Sequence, residues 1–495
     1  MFASSKAPLA KDVDYRAHLR DLPTDNGWVM GVPLSKNRSA ILSSEVSSTS
    51  TYSVLIVSFL LVHVLIGVVL RQSSTVAGLH AIIALAVSIW AAVRWSDVAI
   101  ASCCAYIVGA EVLWRIAGAP IPYEFGKYAV SLVFLIALVR MGRRAVWRVA
   151  PLLYFVVLLP SAALVFSDQD LFTRMVMMRV SFNLSGPLSL FISVWFFSQQ
   201  RFRSEDILKI GFALLGPLLA IAVVTIIATR TATDLTFTGE SNKVTSGGFG
   251  PNQVSLALGL GALVAFLSSL NRDAGVVARM TSAALVLLFA TQSALTFSRG
   301  GLYSAALALI AGAPFLLVER RTRRVLVPLG AVIAIAATSV VLPRIDQFTG
   351  GKLGERFQET QATSRGELIV NDIEVWFDHP VFGVGPGMVQ EFRSEASGSG
   401  HTEYTRLLAE HGSFGFVALA ALVLMSLQVL LDSGDPVSRG YRIIFLVWAL
   451  VSMLHAAMRI AAFGFIFGLA HATFQLIHRR SLEFNLNSET RTLAG

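Results

Sequence analysis

The sequence predicts an all-α, polytopic membrane protein, a bundle of about 12–14 transmembrane helices carrying one long loop on a single side. Three observations lead there. Hydrophobic residues make up 54% of the 495-residue chain and charged residues 14%, against about 25% charged in soluble domains. The apolar residues fall in runs of roughly 17–23, the length a helix needs to cross a hydrocarbon core of about 30 Å. Between these runs, every second connection is rich in arginine, the signature of loops held in the cytoplasm. The net charge of +9 is therefore a topological feature, and no nucleic-acid partner is expected.

Residues 1–50 are polar, with Lys6, Lys11, Arg16, Arg20, Lys36 and Arg38 ahead of the first apolar run at Tyr52. A signal peptide would place its apolar core earlier, so these residues are expected to form a cytoplasmic tail. Apolar runs then lie near 52–70, 75–93, 97–114, 126–140, 149–166, 177–198, 207–229, 252–270, 277–297, 301–319 and 325–342. Three more follow near 412–431, 442–459 and 461–477. The organisation reads as a tail (1–50), eleven spans (51–342), an outer loop (343–411), three spans (412–478) and a cytoplasmic tail (479–495). Arginines 140, 143, 144 and 148, then 201 and 203, then 320, 321, 323 and 324 mark the inner side, and both termini fall inside.

Within the outer loop, Ser364-Arg365-Gly366-Glu367 has capping-box spacing. Ile369, Ile373, Trp376 and Phe377 follow on one helical face, which suits a helix lying along a membrane surface. Pro380 ends it, and Phe382-Gly383-Val384-Gly385-Pro386-Gly387 reads as a tight turn. A second helix is expected to start near His401 and run past Gly412. Adjacent Cys103 and Cys104 are poorly placed for a bridge and read as packing residues; no metal or cofactor is expected. Glu111 and Arg115 have the spacing of a structural ion pair. His63, His80 and His455 lie in apolar runs and read as packed or locally hydrogen-bonded, while His379 and His411 carry no assignment.

Four pieces occur in order: Gly250-Pro251-Asn252, Ser298-Arg299-Gly300-Gly301, Pro380-Val381-Phe382-Gly383-Val384-Gly385, and His401-Thr402-Glu403-Tyr404 with Glu410-His411-Gly412. Together they resemble the O-antigen ligase / Wzy-type polysaccharide polymerase superfamily over residues 235–430. The resemblance implies a GT-C-like, metal-independent glycosyltransferase of the bacterial inner membrane with a periplasmic active site. It would move a glycan from undecaprenyl pyrophosphate to an acceptor sugar hydroxyl. Polymerase is the favoured form, with a ligase acting on lipid A-core as the alternative, and a chain-length regulator a possible partner. A lipid-linked oligosaccharide flippase or transporter is the competing class.

Residue roles follow from that resemblance and from chemistry. Arg299, a cation between two spans, can grip a lipid diphosphate through paired hydrogen bonds; the alternative reading is that it only snorkels to head groups. A second cation comes from Lys243, Arg230 or Arg179. His401 is the candidate general base, with Glu403 and Tyr404 orienting it or the sugar. Asn252 and Gln253 read equally as substrate contacts or as a helix cap.

Overall fold

A computed structural model describes residues 34–142, 146, 148–168, 174–238, 240–358, 365–393, 402–456 and 458–476. The described residues divide into two units after Ser48, and those of the first are helical. In chain order the helices are α1 (Leu34–Gln72), α2 (Ser74–Arg94), α3 (Asp97–Ile116), α4 (Phe125–Met141), α5 (Val149–Val156), α6 (Leu159–Asp168) and α7 (Arg174–Phe197). After strand β1 (Arg201–Arg203) come α8 (Ser204–Thr231), α9 (Pro251–Leu270), α10 (Gly275–Leu295), α11 (Gly300–Val318) and α12 (Arg320–Ala336). A π-helical turn (Ala337–Val341) continues α12 into α13 (Leu342–Phe348). Then follow α14 (Lys352–Gln358), α15 (Arg365–Asp378), α16 (Val389–Phe392), α17 (Glu403–Leu430), α18 (Pro436–Ala456), α19 (Ala462–Leu469) and strand β2 (Thr473–Gln475).

Eleven of the described helical segments are long and apolar enough to cross a membrane. The chain is a multi-pass membrane protein. Three of the fourteen expected spans fall short of that length. Helix α4 has 17 residues, and the run expected over 149–166 breaks between α5 and α6. The run expected over 461–477 corrects most: α19 has only 8 helical residues. The chain then extends as β2, which pairs in parallel with β1, Phe474 opposite Phe202.

The positions of the helices follow from their sequences. Helix α9 is apolar on every side, and Gln253–Leu270 are all buried, which makes it the bundle's axis. It packs against α11 where Gly259 and Gly301 leave no room for a Cβ on either helix, the small-residue contact that lets membrane helices approach closely. Helix α12 has no buried residue, so its apolar surface faces outward. Polar caps set the entries: Ser73 accepts from Val76 N–H at 3.3 Å, Ser96 from Ala99 N–H at 3.4 Å and Glu319 from Thr322 N–H at 2.5 Å.

Helix α15 forms where the capping-box reading put it, with a different face inward. Leu368, Asp372 and Val375 are buried, whereas Phe377 is 71% and Ile369 41% exposed. The buried carboxylate decides this. Asp372 accepts from Arg393 Nε at 3.0 Å and Nη2 at 2.5 Å, and from the Thr405 hydroxyl at 2.7 Å, tying the loop to α17.

Candidate functional site

Helix α17 starts at Thr402, whose side chain accepts from Tyr404 N–H at 3.3 Å. Residues 403, 406 and 410 then share a face, by the i, i+3, i+7 rule. Arg406 sits between the two acids. It donates to Glu403 at 2.5 and 3.1 Å, to Glu410, and to Asn183 Oδ1 of α7 at 3.0 Å. Its side chain is 5% exposed, so the carboxylates supply the countercharge that burial demands.

The glycine-rich turn locks this face. Helix α17 kinks at Gly412 (φ 58°), which frees the Ala409 and Glu410 carbonyls to accept from Val384 N–H at 3.0 Å and Gly385 N–H at 2.9 Å. Gly383 (φ 68°) meets the kink directly: a Cβ there would collide with the Ala409–His411 backbone, and one on Gly412 with the backbone of Val381 and Gly383. Both φ values are ones that side-chain-bearing residues adopt at a cost.

Above Arg406 opens a cleft of about 1360 Å³. Its walls come from the loop after α3, from Met177, Met178 and Arg179 of α7, from the turn ending at Gly387, and from Arg459 after α18. Three guanidiniums therefore line it: Arg179, Arg406 and Arg459. Arg179 pairs with Glu391. Burial pushes the Arg459 guanidinium below its ordinary value, yet a guanidinium keeps its proton at neutral pH.

A smaller pocket of about 170 Å³ adjoins the cleft, sharing Ile121, Pro122 and Tyr123. Glu111 and Arg115 form the expected ion pair there, at 2.6 Å. Arg115 also donates to Gln253 Oε1 at 2.6 Å, to the Arg459 carbonyl at 3.0 Å and to the Tyr123 carbonyl at 2.8 Å. Trp114 forms another wall, and its ring is held by a polar chain within α1–α3. Trp114 Nε1–H donates to His80 Nδ1 at 2.9 Å, which leaves the neutral His80 its proton on Nε2, 2.9 Å from the Tyr106 oxygen. Tyr106 then donates to His63 Nε2 at 3.2 Å, and His63 Nδ1–H to the Phe59 carbonyl at 2.7 Å. His63 and His80 are thus locally hydrogen-bonded, as expected.

The other sequence candidates fall elsewhere. Arg299 precedes α11, half-buried, and donates through Nη1 to the Arg356 carbonyl at 3.2 Å. It is not among the residues lining the cleft. Asn252 accepts from the Ser298 hydroxyl at 2.8 Å, and Ser255 Oγ donates to the Ser298 carbonyl at 2.7 Å. Asn252 thus holds the turn that carries Arg299. Lys243 and Arg230 are exposed. Tyr404 donates to the Leu450 carbonyl at 2.8 Å, and Glu403 meets Arg406. His401 lies outside the described residues. His411 is fully buried, and the His379 ring packs edge-on against Phe392. Cys103 and Cys104 are free thiols. Among the described residues, no three His, Cys, Asp or Glu side chains converge as a metal site.

The structure thus gathers Arg179 with three arginines that the sequence reading did not propose for substrate: Arg406, Arg459 and Arg115. A signal was there. Arg406 carries acids at i−3 and i+4 beside a strongly apolar run, and ionisable groups in such places are usually functional. Comparison with known proteins fits this end of the chain. The family model described as O-antigen ligase matches residues 283–420, a stretch that takes in Arg299, Arg406 and Glu410 and leaves out Arg115, Arg179 and Arg459. The resemblance to the O-antigen ligase / Wzy-type superfamily holds over that stretch. No curated protein matches the chain.

Proposed function

From an O-antigen ligase segment set in a multi-pass membrane bundle, we propose a glycosyltransferase working at the periplasmic face of the bacterial inner membrane. It moves a glycan from undecaprenyl pyrophosphate to an acceptor sugar hydroxyl. The observation that carries this reading is the cleft of about 1360 Å³ with three guanidiniums on its walls. A lipid diphosphate needs fixed cations in a water-poor site, and guanidiniums meet phosphate oxygens in pairs. Met177 and Met178, both exposed on the same helix as Arg179, offer apolar surface for the carrier's lipid.

The acceptor oxygen attacks the anomeric carbon as the bond from that carbon to the diphosphate oxygen breaks, so the configuration inverts. The electron pair leaves with the diphosphate. Arg179 and Arg459 hold that group in the cleft, and Arg179 is our choice for the second cation over Lys243 and Arg230; Arg299, off the cleft wall, keeps its diphosphate role on the strength of the family resemblance. His401, next to Thr402 at the start of α17, accepts the acceptor's proton. Arg406 pairs with Glu403 and Glu410 and so holds the floor of the cleft in place.

Polymer formation is the favoured outcome, with a second carrier-linked glycan as the acceptor. The family description favours a ligase as the second reading. Purified protein reconstituted with a lipid-pyrophosphate glycan decides between them. Chain extension when a second donor molecule is offered means polymerase; transfer only when lipid A-core is offered means ligase. Carrier crossing the bilayer without any new glycosidic bond would replace both with a flippase.

A further inference from the structure

Helix α15 carries three stripes where an ordinary surface helix carries two. Leu368, Asp372 and Val375 form the buried stripe. Glu367, Asn371, Glu374 and Asp378 form a polar one, its three acids exposed. The third is Ile369, Val370, Ile373, Trp376 and Phe377, at the i, i+1, i+4, i+7, i+8 spacing of one apolar face. The protein does not cover it. Val370 is 55% and Phe377 71% exposed, and the Trp376 ring stacks on Phe377 at 5.3 Å.

An exposed apolar face edged by charged residues marks an interaction surface, and its surroundings say with what. The chain runs on from α15 into Val381 and Phe382, both exposed. That turn is fastened to the start of the apolar part of α17. Ser413 N–H donates to the Pro380 carbonyl at 2.8 Å, and the Ser413 hydroxyl to the Val381 carbonyl at 2.8 Å. The Phe382 ring meets Phe414 at 5.4 Å. From there Phe416, Val417, Val423, Leu424 and Leu427 continue down one side of α17, all exposed. Helix α17 is one of the segments long and apolar enough to cross a membrane, so that side meets lipid. Phe382 stands at its head, and the uncovered face of α15 continues it.

We propose that the apolar face of α15 and the Val381–Phe382 turn rest in the adjoining leaflet of the bilayer. The partner is lipid: acyl chains receive Ile369, Val370 and Phe377, while Glu367, Glu374 and Asp378 stay in water. Helices that lie in a membrane surface bury such a face about 5–10 Å deep. Gly387, Val389 and Gln390, farther along the same loop, line the cleft, and Arg393 ties back to Asp372 at 3.0 Å. One wall of the cleft is thereby anchored to the leaflet.

The test uses the full-length protein with Cys103→Ala and Cys104→Ala, reconstituted in vesicles of phosphatidylethanolamine and phosphatidylglycerol. A single cysteine replaces Val370, Phe377 or Glu374, all exposed, and carries an environment-sensitive fluorophore. Lipids brominated along the acyl chain should quench the Val370→Cys and Phe377→Cys labels severalfold more than the Glu374→Cys label. Aqueous iodide should give the reverse order. Either apolar-face site suffices if the other variant fails to fold. Iodide quenching all three labels alike would place the face in water and overturn the proposal. Shielding of the Val370→Cys and Phe377→Cys labels from both quenchers would overturn it too, by placing a protein partner or a second copy there.

Discussion

Arg406 and Arg299 are both arginines near the ends of membrane helices, and the protein holds them in opposite ways. Arg406 is buried, with two acids on its own helix and Asn183 across the cleft. Arg299 is half-buried at the entry to α11, beside a second arginine whose carbonyl it contacts. The first is fully compensated, so its charge is a fixture of the fold. The second donates to a backbone carbonyl, that of Arg356, next to the turn that Asn252 holds. Position in a motif does not separate a structural guanidinium from a working one; burial between two acids of its own helix is what makes Arg406 part of the fold.

This contrast can be broken in order of expected effect. Arg406→Ala strands two buried carboxylates, a loss of about 3–5 kcal/mol, and should abolish folded protein in detergent size-exclusion profiles. Well-folded Arg406→Ala protein would show that the acids carry no charge. Arg299→Ala should leave insertion and thermal stability normal while transfer falls by about 10³-fold, the upper range for losing one charge-stabilising group. Arg299→Lys should recover little, because an ammonium lacks the planar fork; wild-type rates in either variant would remove the diphosphate role.

His401→Ala should slow transfer by about 10²-fold with donor affinity unchanged, and unaltered transfer would exclude it as the base. Gly412→Ala strains a positive φ against the 380–387 turn and should cost about 1–3 kcal/mol, read as a lower unfolding temperature. The smallest effect is at Glu319, between α11 and α12. Burial raises its carboxyl, and the hydrogen bonds it accepts from Thr322 and the Arg321 backbone, with the Arg321 charge, together outweigh that and leave it below the usual range. Its stabilisation is therefore complete above the unfolded carboxylate value near 4.3 and is lost as pH falls through the folded one. Solvent screening keeps it to a few tenths of a kcal/mol, so Glu319→Gln should flatten only the acid edge of a stability-versus-pH curve.

Much of the architecture was legible because lipid imposes a length on every crossing. The run at 252–270 has the length and apolarity of a crossing, and the capping-box spacing placed α15 almost to the residue. The inward face of α15 was misjudged because apolarity was the guide, while buried Asp372 answers to Arg393 and Thr405, which lie beyond the helix. Arg406 escaped for a similar reason. Its helix was expected to enter the membrane only near Gly412, Glu403 was read as orienting His401 or the sugar, and Asn183 is remote in sequence. The end of the last span was misread because a strand pair depends on a partner the local sequence does not contain.

That strand pair has a consequence for how the protein is made. β1 emerges with its hydrogen-bonding edge open and has to wait for Thr473–Gln475, so a ribosome delivers nearly every membrane helix before the latch can close. Nascent chains stalled short of Gln475 would keep that edge unsatisfied.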